Sequence, residues 1–212
     1  TDVIDLYKVH EWDGLTPLEE TMEALDTVVK DGKVRYLGCS NYWGWHIMKA
    51  LGVAERHNFQ RFVSQQIHYT LHCRDAENEL VPISIDQGLG IMVWSPIAGG
   101  LLSGKYRRST QGHDSETEGR LQAMKQSGLA ALQDKLAPRN WEIVAALEGA
   151  ARASGLSMAQ AAIQWVARRP AVGAVILGAR TLEQFEDDLA ALDTPMPQES
   201  LRALDQASAL PM

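Results

Sequence analysis

Four strand-like apolar runs begin near residues 3, 34, 62 and 90, at intervals of about 31, 28 and 28 residues, and each gap carries a helical pattern. That interval is the length of a strand–helix unit whose crossover returns the chain beside its previous strand in parallel. A fifth run, Val172–Leu177, follows after a longer stretch. Strands alternating with helices in this way predict a parallel α/β architecture.

The pieces carry local signals. Val3, Ile4, Leu6 and Val9 predict a buried parallel strand running into the polar turn Glu11-Trp12-Asp13-Gly14. Thr16-Pro17-Leu18-Glu19 reads as a capping box with proline at the first helical position, and Leu18, Met22, Leu25 and Val29 form the apolar stripe behind it. Val34–Ser40 is expected to be a strand, Trp45–His57 a helix, Phe62–Gln66 a strand, 76–87 a helix interrupted or started by Pro82, and Gly90–Ser95 a strand. Residues 106–120 are polar and charged and read as a mobile surface loop. Helical patterns then cover 121–135, 140–153 and 158–168, the last opened by the capping box Ser157 to Gln160. Thr181 with Gln184 opens a further helix, and Pro197–Ala207 reads as a terminal one.

Composition narrows the function classes. The 212 residues can bury a sizeable core, and a net charge of −7 argues against a nucleic-acid or anionic-membrane partner. Two cysteines, Cys39 and Cys73, fit a reducing compartment, read here as cytoplasm. No stretch approaches the ~20 apolar residues of a membrane span, and the N-terminus has no signal-peptide pattern. His46, His57 and His113 read as solvated surface, Cys39 as a packed small hydrophobe, and His68, His72 and Cys73 as a spacing without a fourth metal ligand.

Two parallel architectures compete. A doubly wound sheet usually carries a glycine fingerprint after its first strand, where this chain has His10-Glu11-Trp12-Asp13. A (β/α)8 barrel spreads its chemistry over many strand ends, and the strand ends here are polar or aromatic: His10, Ser40-Asn41, Gln65-Gln66, Trp94-Ser95-Pro96 and Gly178-Ala179-Arg180. These ends resemble the C-terminal two-thirds of an aldo-keto reductase. The resemblance rests on Asp5 to His10, Gly38-Cys39-Ser40-Asn41, Gln66-Ile67-His68-Tyr69, Trp94-Ser95-Pro96, and Gly178-Ala179-Arg180 with Gln184, in the family's order. It implies a TIM-barrel type fold with only the last five βα units present, residues 1–212 forming part of one barrel domain.

The resemblance also implies roles. His10 would orient a substrate carbonyl as the catalytic histidine; Ser40, Asn41 and Gln66 would hydrogen-bond a nicotinamide carboxamide; Trp94 would stack on the ring, with Ser95 and Pro96 completing that element. The loop Ala98 to Lys105, with Gly100 and Leu101, lets backbone approach a pyrophosphate. Gly178, Ala179, Arg180 and Gln184 would hold the 2′-phosphate of NADP(H), with Arg180 beside a helix N-terminus. Asp187 and Asp188 fall at adenine-contacting positions, and Asp188 stands where the family usually has Asn, so it can accept but not donate a hydrogen bond.

The implied activity is reduction of aldehydes or ketones. The resemblance places a tyrosine acid, its lysine and an aspartate on strands upstream of Thr1, and none of Tyr7, Tyr36, Tyr42, Tyr69 or Tyr106 lies in the tyrosine's motif. The expectation is therefore a reductase when an N-terminal segment completes it, and an inactive, self-associating open barrel when not. A non-catalytic nucleotide-binding subunit resembling potassium-channel β subunits is the alternative. Trp12, Trp43 and Trp45, close behind strand ends, point either to an aromatic-lined pocket for an apolar or aromatic carbonyl compound or to surface or core packing.

Overall fold

The computed structural model describes residues 1–106 and 137–210. Most of the polar loop expected at 106–120, the helix expected at 121–135, and His113 lie outside these residues. Among the described residues, five strands, β1 (Ile4–Val9), β2 (Val34–Ser40), β3 (Phe62–His68), β4 (Gly90–Trp94) and β5 (Val172–Ile176), form one parallel sheet in sequence order. This is an α/β arrangement of the (β/α)8 type whose described sheet is open, with β1 and β5 at its edges.

The helices are α1 (Leu18–Lys30), α2 (Gly44–His57), α3 (Leu80–Gln87), α4 (Pro138–Ser154), α5 (Met158–Ala167), α6 (Leu182–Leu189) and α7 (Gln198–Ala207). A short 3-10 turn at Asp75–Glu77 precedes α3, and Pro82 sits in the first turn of α3, where its missing N–H costs no helical bond.

Two local expectations differ from the structure. β1 is an edge strand rather than a buried one: Ile4 and Tyr7 are each 44% exposed. Its aliphatic residues are those of a strand covered on both sides, and among the described residues only β2 pairs with it. The Thr16 capping box does not form either. Pro17 is the N-cap of α1, and the Thr16 hydroxyl donates instead to Asp13 Oδ2, while Leu15 N–H donates to Asp13 Oδ1 at 2.8 Å. The aspartate thus organises the turn locally and takes the hydroxyl away from the helix.

The contacts group the chain into two compact units, one of 1–68, 75–93 and 170–174, the other of 69–74, 94–169 and 175–212. In the first, Leu18, Met22 and Leu25 of α1 and Ile47, Ala50 and Leu51 of α2 pack on Leu37, Cys39 and Phe62 of the sheet. Asp26 is buried in this layer. Burial alone would raise its pKa, but hydrogen bonds from Lys30 and from Gln60 N–H (2.9 Å) outweigh that and hold the carboxyl below its ordinary value. Because its folded pKa is depressed, Asp26 adds stability above the unfolded pKa, and that stability is lost as pH falls through the folded value. Asp26→Ala is expected to cost about 1.5–3 kcal/mol in urea unfolding at neutral pH and much less in acid. An unchanged pH profile would contradict the role assigned to the carboxylate.

In the second unit, α4 packs on α7 through Ile143, Val144, Leu147, Leu201 and Leu204. The capping box expected at α5 forms: Gln160 N–H donates to Ser157 Oγ at 3.1 Å and Ser157 N–H to Gln160 Oε1 at 2.9 Å. Buried Gln164 donates to Ala191 O (2.6 Å) and Thr194 O (2.8 Å) and accepts from Met196 N–H, which fixes the turn after α6.

Candidate active site

The register decides which side chains of the first unit share a face. Lys8 pairs with Gly38, Gly38 with Ser64, and Ser40 with Gln66; the intervening row is Val9, Cys39 and Gln65. A register shift between Leu37 and Gly38 adjusts β3 so that these rows align. Alternation puts Lys8, Ser40, Ser64 and Gln66 on one face and Leu37, Cys39 and Gln65 on the other. Gln65 confirms the division, because its Nε2 donates to Leu80 O at 2.8 Å and to Ser84 on α3. The helix-covered face is therefore mainly apolar, and the opposite face is polar.

Three strand ends meet on the polar side. Ser40 Oγ donates to Gln66 O at 3.0 Å, Asn41 N–H donates to the same oxygen at 3.0 Å, and Asn41 Nδ2 donates to His10 O at 3.2 Å. Asn41 takes φ 57°, a left-handed conformation that asparagine tolerates better than most residues. With its proton committed to Gln66 O, the Ser40 hydroxyl retains acceptor lone pairs for a ligand N–H. The side chains of Ser40 and Asn41 and the backbone carbonyls of His10 and Gln66 are thus brought together.

Beside them lies an aromatic cluster. The Trp12 ring stacks on His46 at 4.0 Å between centroids with an interplanar angle of 2°, and meets Tyr42 edge-on at 5.3 Å and Trp45 at 5.6 Å. His46 is buried rather than solvated: Trp43 N–H donates to its Nδ1 at 3.2 Å, tying the ring to the start of α2. Burial pulls its pKa below the ordinary histidine value, so the neutral ring required of an acceptor is favoured. Trp12 therefore packs on Tyr42, Trp45 and His46, while Trp43 and Trp45 are both turned largely to solvent, 67% and 57% exposed. The Tyr42 hydroxyl is pushed up to about 12 by burial, which makes it a weak acid among these groups.

The second unit carries the loop after β4. Ser95 (φ 56°), Ala98 (55°), Gly99 (69°), Gly100 (100°) and Gly104 (79°) all take left-handed backbone within ten residues. Non-glycine residues held there cost about 1–3 kcal/mol each, and such strain gathers at ligand clamps. Leu101 and Leu102 bury their side chains completely and anchor the loop, so Leu101 offers its backbone rather than its side chain to a ligand. A Cβ on Gly100 would fall 2.7 Å from Lys105 Cε and 3.3 Å from its Nζ. The glycine thus keeps an ammonium close to a turn of left-handed backbone, a combination that suits a pyrophosphate. Gly100→Val is expected to cost about 1–3 kcal/mol through its φ and the Lys105 clash. Thermal unfolding checks this, and a neutral result would contradict the crowding.

After β5, Gly178-Ala179-Arg180 leads into α6, where Gln184 N–H donates to Thr181 Oγ1 at 3.2 Å. The Gln184 side chain turns back to accept from Arg180 N–H at 3.0 Å and shapes the loop, and Arg180 itself is exposed. Asp187 is engaged from two sides: its carboxylate accepts from Ser157 Oγ at 2.9 Å and from Gln160 Nε2 at 3.0 Å. Asp188 is buried, and burial followed by the Asp187 charge raises its carboxyl pKa. Lys8, Lys105, Ser157 and Gln160 were not among the expected site residues.

Comparison with known proteins agrees with the geometry. The model of the Aldo/keto reductase family matches residues 1–209. The uncharacterized oxidoreductase YrpG of Bacillus subtilis (strain 168) is 38% identical over 211 residues, covering 97% of this chain and 58% of that protein. Versiconal hemiacetal acetate reductase of Aspergillus parasiticus is 30% identical over 205 residues, covering 96% and 57%. A probable voltage-gated potassium channel subunit beta of Oryza sativa subsp. japonica is 33% identical over 212 residues, covering 97% and 63%. The chain thus spans less than two thirds of the length of these relatives. With the family model matching residues 1–209 and a relative 38% identical over 97% of the chain, the chain belongs to the aldo/keto reductase family.

Proposed function

We propose that this chain is the cofactor-holding and carbonyl-orienting part of an NADP(H)-dependent reductase of aldehydes or ketones. The observation that carries this reading is the hydrogen-bonded join of His10, Ser40, Asn41 and Gln66 across three strand ends. A nicotinamide carboxamide offers one acceptor and two donor hydrogens, and a serine acceptor with two side-chain amides complements both. In the second unit, taken by itself, the left-handed loop with Lys105 and the exposed Arg180 are groups suited to phosphates. When bound, the reduced nicotinamide supplies a hydride. His10 orients the carbonyl oxygen and steadies the charge developing on it. A general acid would supply the proton to that oxygen, and cytoplasm is the compartment that fits the two cysteines Cys39 and Cys73.

A second reading, a nucleotide-binding subunit acting through partners, is favoured by the likeness to probable potassium channel β subunits. Calorimetric titration of the full-length protein with NADPH, followed by addition of an aromatic aldehyde, separates the two. Binding with loss of NADPH absorbance supports the reductase; binding without turnover supports the subunit; absence of binding removes both. Trp94 ends β4 and is the ring expected to stack on the nicotinamide. Trp94→Ala should weaken NADPH and NADH alike, by about 0.5–1.5 kcal/mol. Unequal losses in that titration would contradict a contact with the part the two cofactors share.

A further inference from the structure

Lys8 is a half-buried amine that the proposed function does not use. It lies on the polar face of the sheet in one row with Gly38 and Ser64. Its Nζ is 3.4 Å from Gln66 Oε1 and also contacts Met92 Sδ on β4. Gly38 leaves room for this course across the strands, since a Cβ there would lie 3.1 Å from Lys8 Cγ and 2.6 Å from Ser64 Oγ. Ser64 Oγ is buried and has no hydrogen-bond partner among the described residues.

Among the described residues, what Lys8 lacks is a counter-charge. Among the described residues no carboxylate forms an ion pair with it. The titratable group that acts on it is Cys39 of the neighbouring strand, and burial pushes that thiol up to about 12, so it is neutral near pH 7. Gln66, Ser64 and Met92 are uncharged. Burial accordingly draws the Lys8 ammonium below the ordinary lysine value. Lysines desolvated without a partner are the ones that act as nucleophiles toward carbonyl carbon.

We propose that Lys8 Nζ is a covalent capture site for small aldehydes, forming a reversible Schiff base on the polar face of the sheet beside Gln66 and Ser64. The Nζ lone pair attacks the carbonyl carbon and a proton moves from nitrogen to oxygen, giving a carbinolamine. The hydroxyl then leaves with the remaining N–H proton as water while the nitrogen lone pair forms the C=N bond, with no change of oxidation state. The Ser64 hydroxyl and the Gln66 amide are the groups in reach to hydrogen-bond that oxygen before it departs. This capture needs no nicotinamide cofactor, though it shares the Gln66 amide with the proposed reductase site.

The test treats the native protein near pH 7 with benzaldehyde and cyanoborohydride, whose hydride converts the imine to a stable secondary amine, and maps the adducts by mass spectrometry. Lys8 should be benzylated ahead of the exposed Lys33 and Lys49. Labelling of Lys8 no faster than Lys33 near pH 7 overturns the proposal. Gln66→Glu would place a carboxylate where the amide oxygen now stands and should abolish the lead, leaving Lys33 unchanged. Gln66→Leu should preserve it. A lead that survives Gln66→Glu also overturns the proposal, because the missing counter-charge would then not be its origin.

Discussion

Trp165→Ala is expected to remove about 3–5 kcal/mol of stability, the largest single effect in the second unit. Trp165 on α5 is fully buried. Its Nε1 donates to Asp205 Oδ1 at 2.9 Å, and the Arg169 and Arg74 guanidinium groups lie 4.1 and 5.3 Å from its ring. Tyr69 meets the same indole edge-on at 5.7 Å. Asp205 also pairs with Arg169 at 2.9 Å, so one carboxylate, two cations and one ring bind α5 to α7. Alanine leaves a cavity and strips two guanidinium groups of their ring, while Trp165→Phe retains most of the packing and loses chiefly the hydrogen bond, about 0.5–1.5 kcal/mol. Against a typical total of about 5–15 kcal/mol, the alanine loss is large enough to loosen the 94–105 and 178–181 loops of the same unit. Urea unfolding of the three proteins checks this. Equal midpoints for the alanine and phenylalanine variants would contradict the packing account.

The strand and helix positions were legible because they depend on local pattern. Val34–Ser40 coincides with β2, and the helix read from 158 is α5 with its Ser157–Gln160 box formed. What was not legible depends on distant partners. Whether β1 is buried depends on what pairs with its outer side, which its six residues do not encode. Thr16 belongs to a capping sequence, yet Asp13 competes for its hydroxyl. His46 looks like a solvated helix residue until Trp12, 34 positions earlier in the chain, stacks on it.

The candidate site divides along the same line. His10, Ser40, Asn41 and Gln66 could be located because each ends an apolar run, and their mutual hydrogen bonds follow from strand register. The left-handed conformations of Ser95 and Ala98 could not, because neither residue type favours them. Lys8 illustrates a third case. Its place in an otherwise apolar strand is visible in sequence, but its contact with Gln66, 58 positions away, requires the fold.

On the proposed function, Arg180→Ala should weaken NADPH binding by roughly 10- to 150-fold and leave NADH nearly unchanged. The two cofactors differ only in the 2′-phosphate, and a charge-assisted contact to it contributes about 1.5–3 kcal/mol, at about 1.4 kcal/mol per decade of affinity. The loop geometry makes this a test of the side chain rather than of the backbone. Arg180 N–H is held by Gln184 Oε1 at 3.0 Å and Gln184 N–H by Thr181 Oγ1 at 3.2 Å, and alanine preserves both bonds. The exposed guanidinium is the part removed, so α6 and its cap remain. Gln184→Ala acts oppositely: it frees Arg180 N–H and loosens the loop, and should cost less while raising the salt sensitivity of NADPH binding. Calorimetric titration of both cofactors into wild type and the two variants reads these effects directly. If Arg180→Ala lowered NADH and NADPH affinity by the same factor, the arginine would be a structural residue at the start of α6, and the phosphate would have to be held elsewhere.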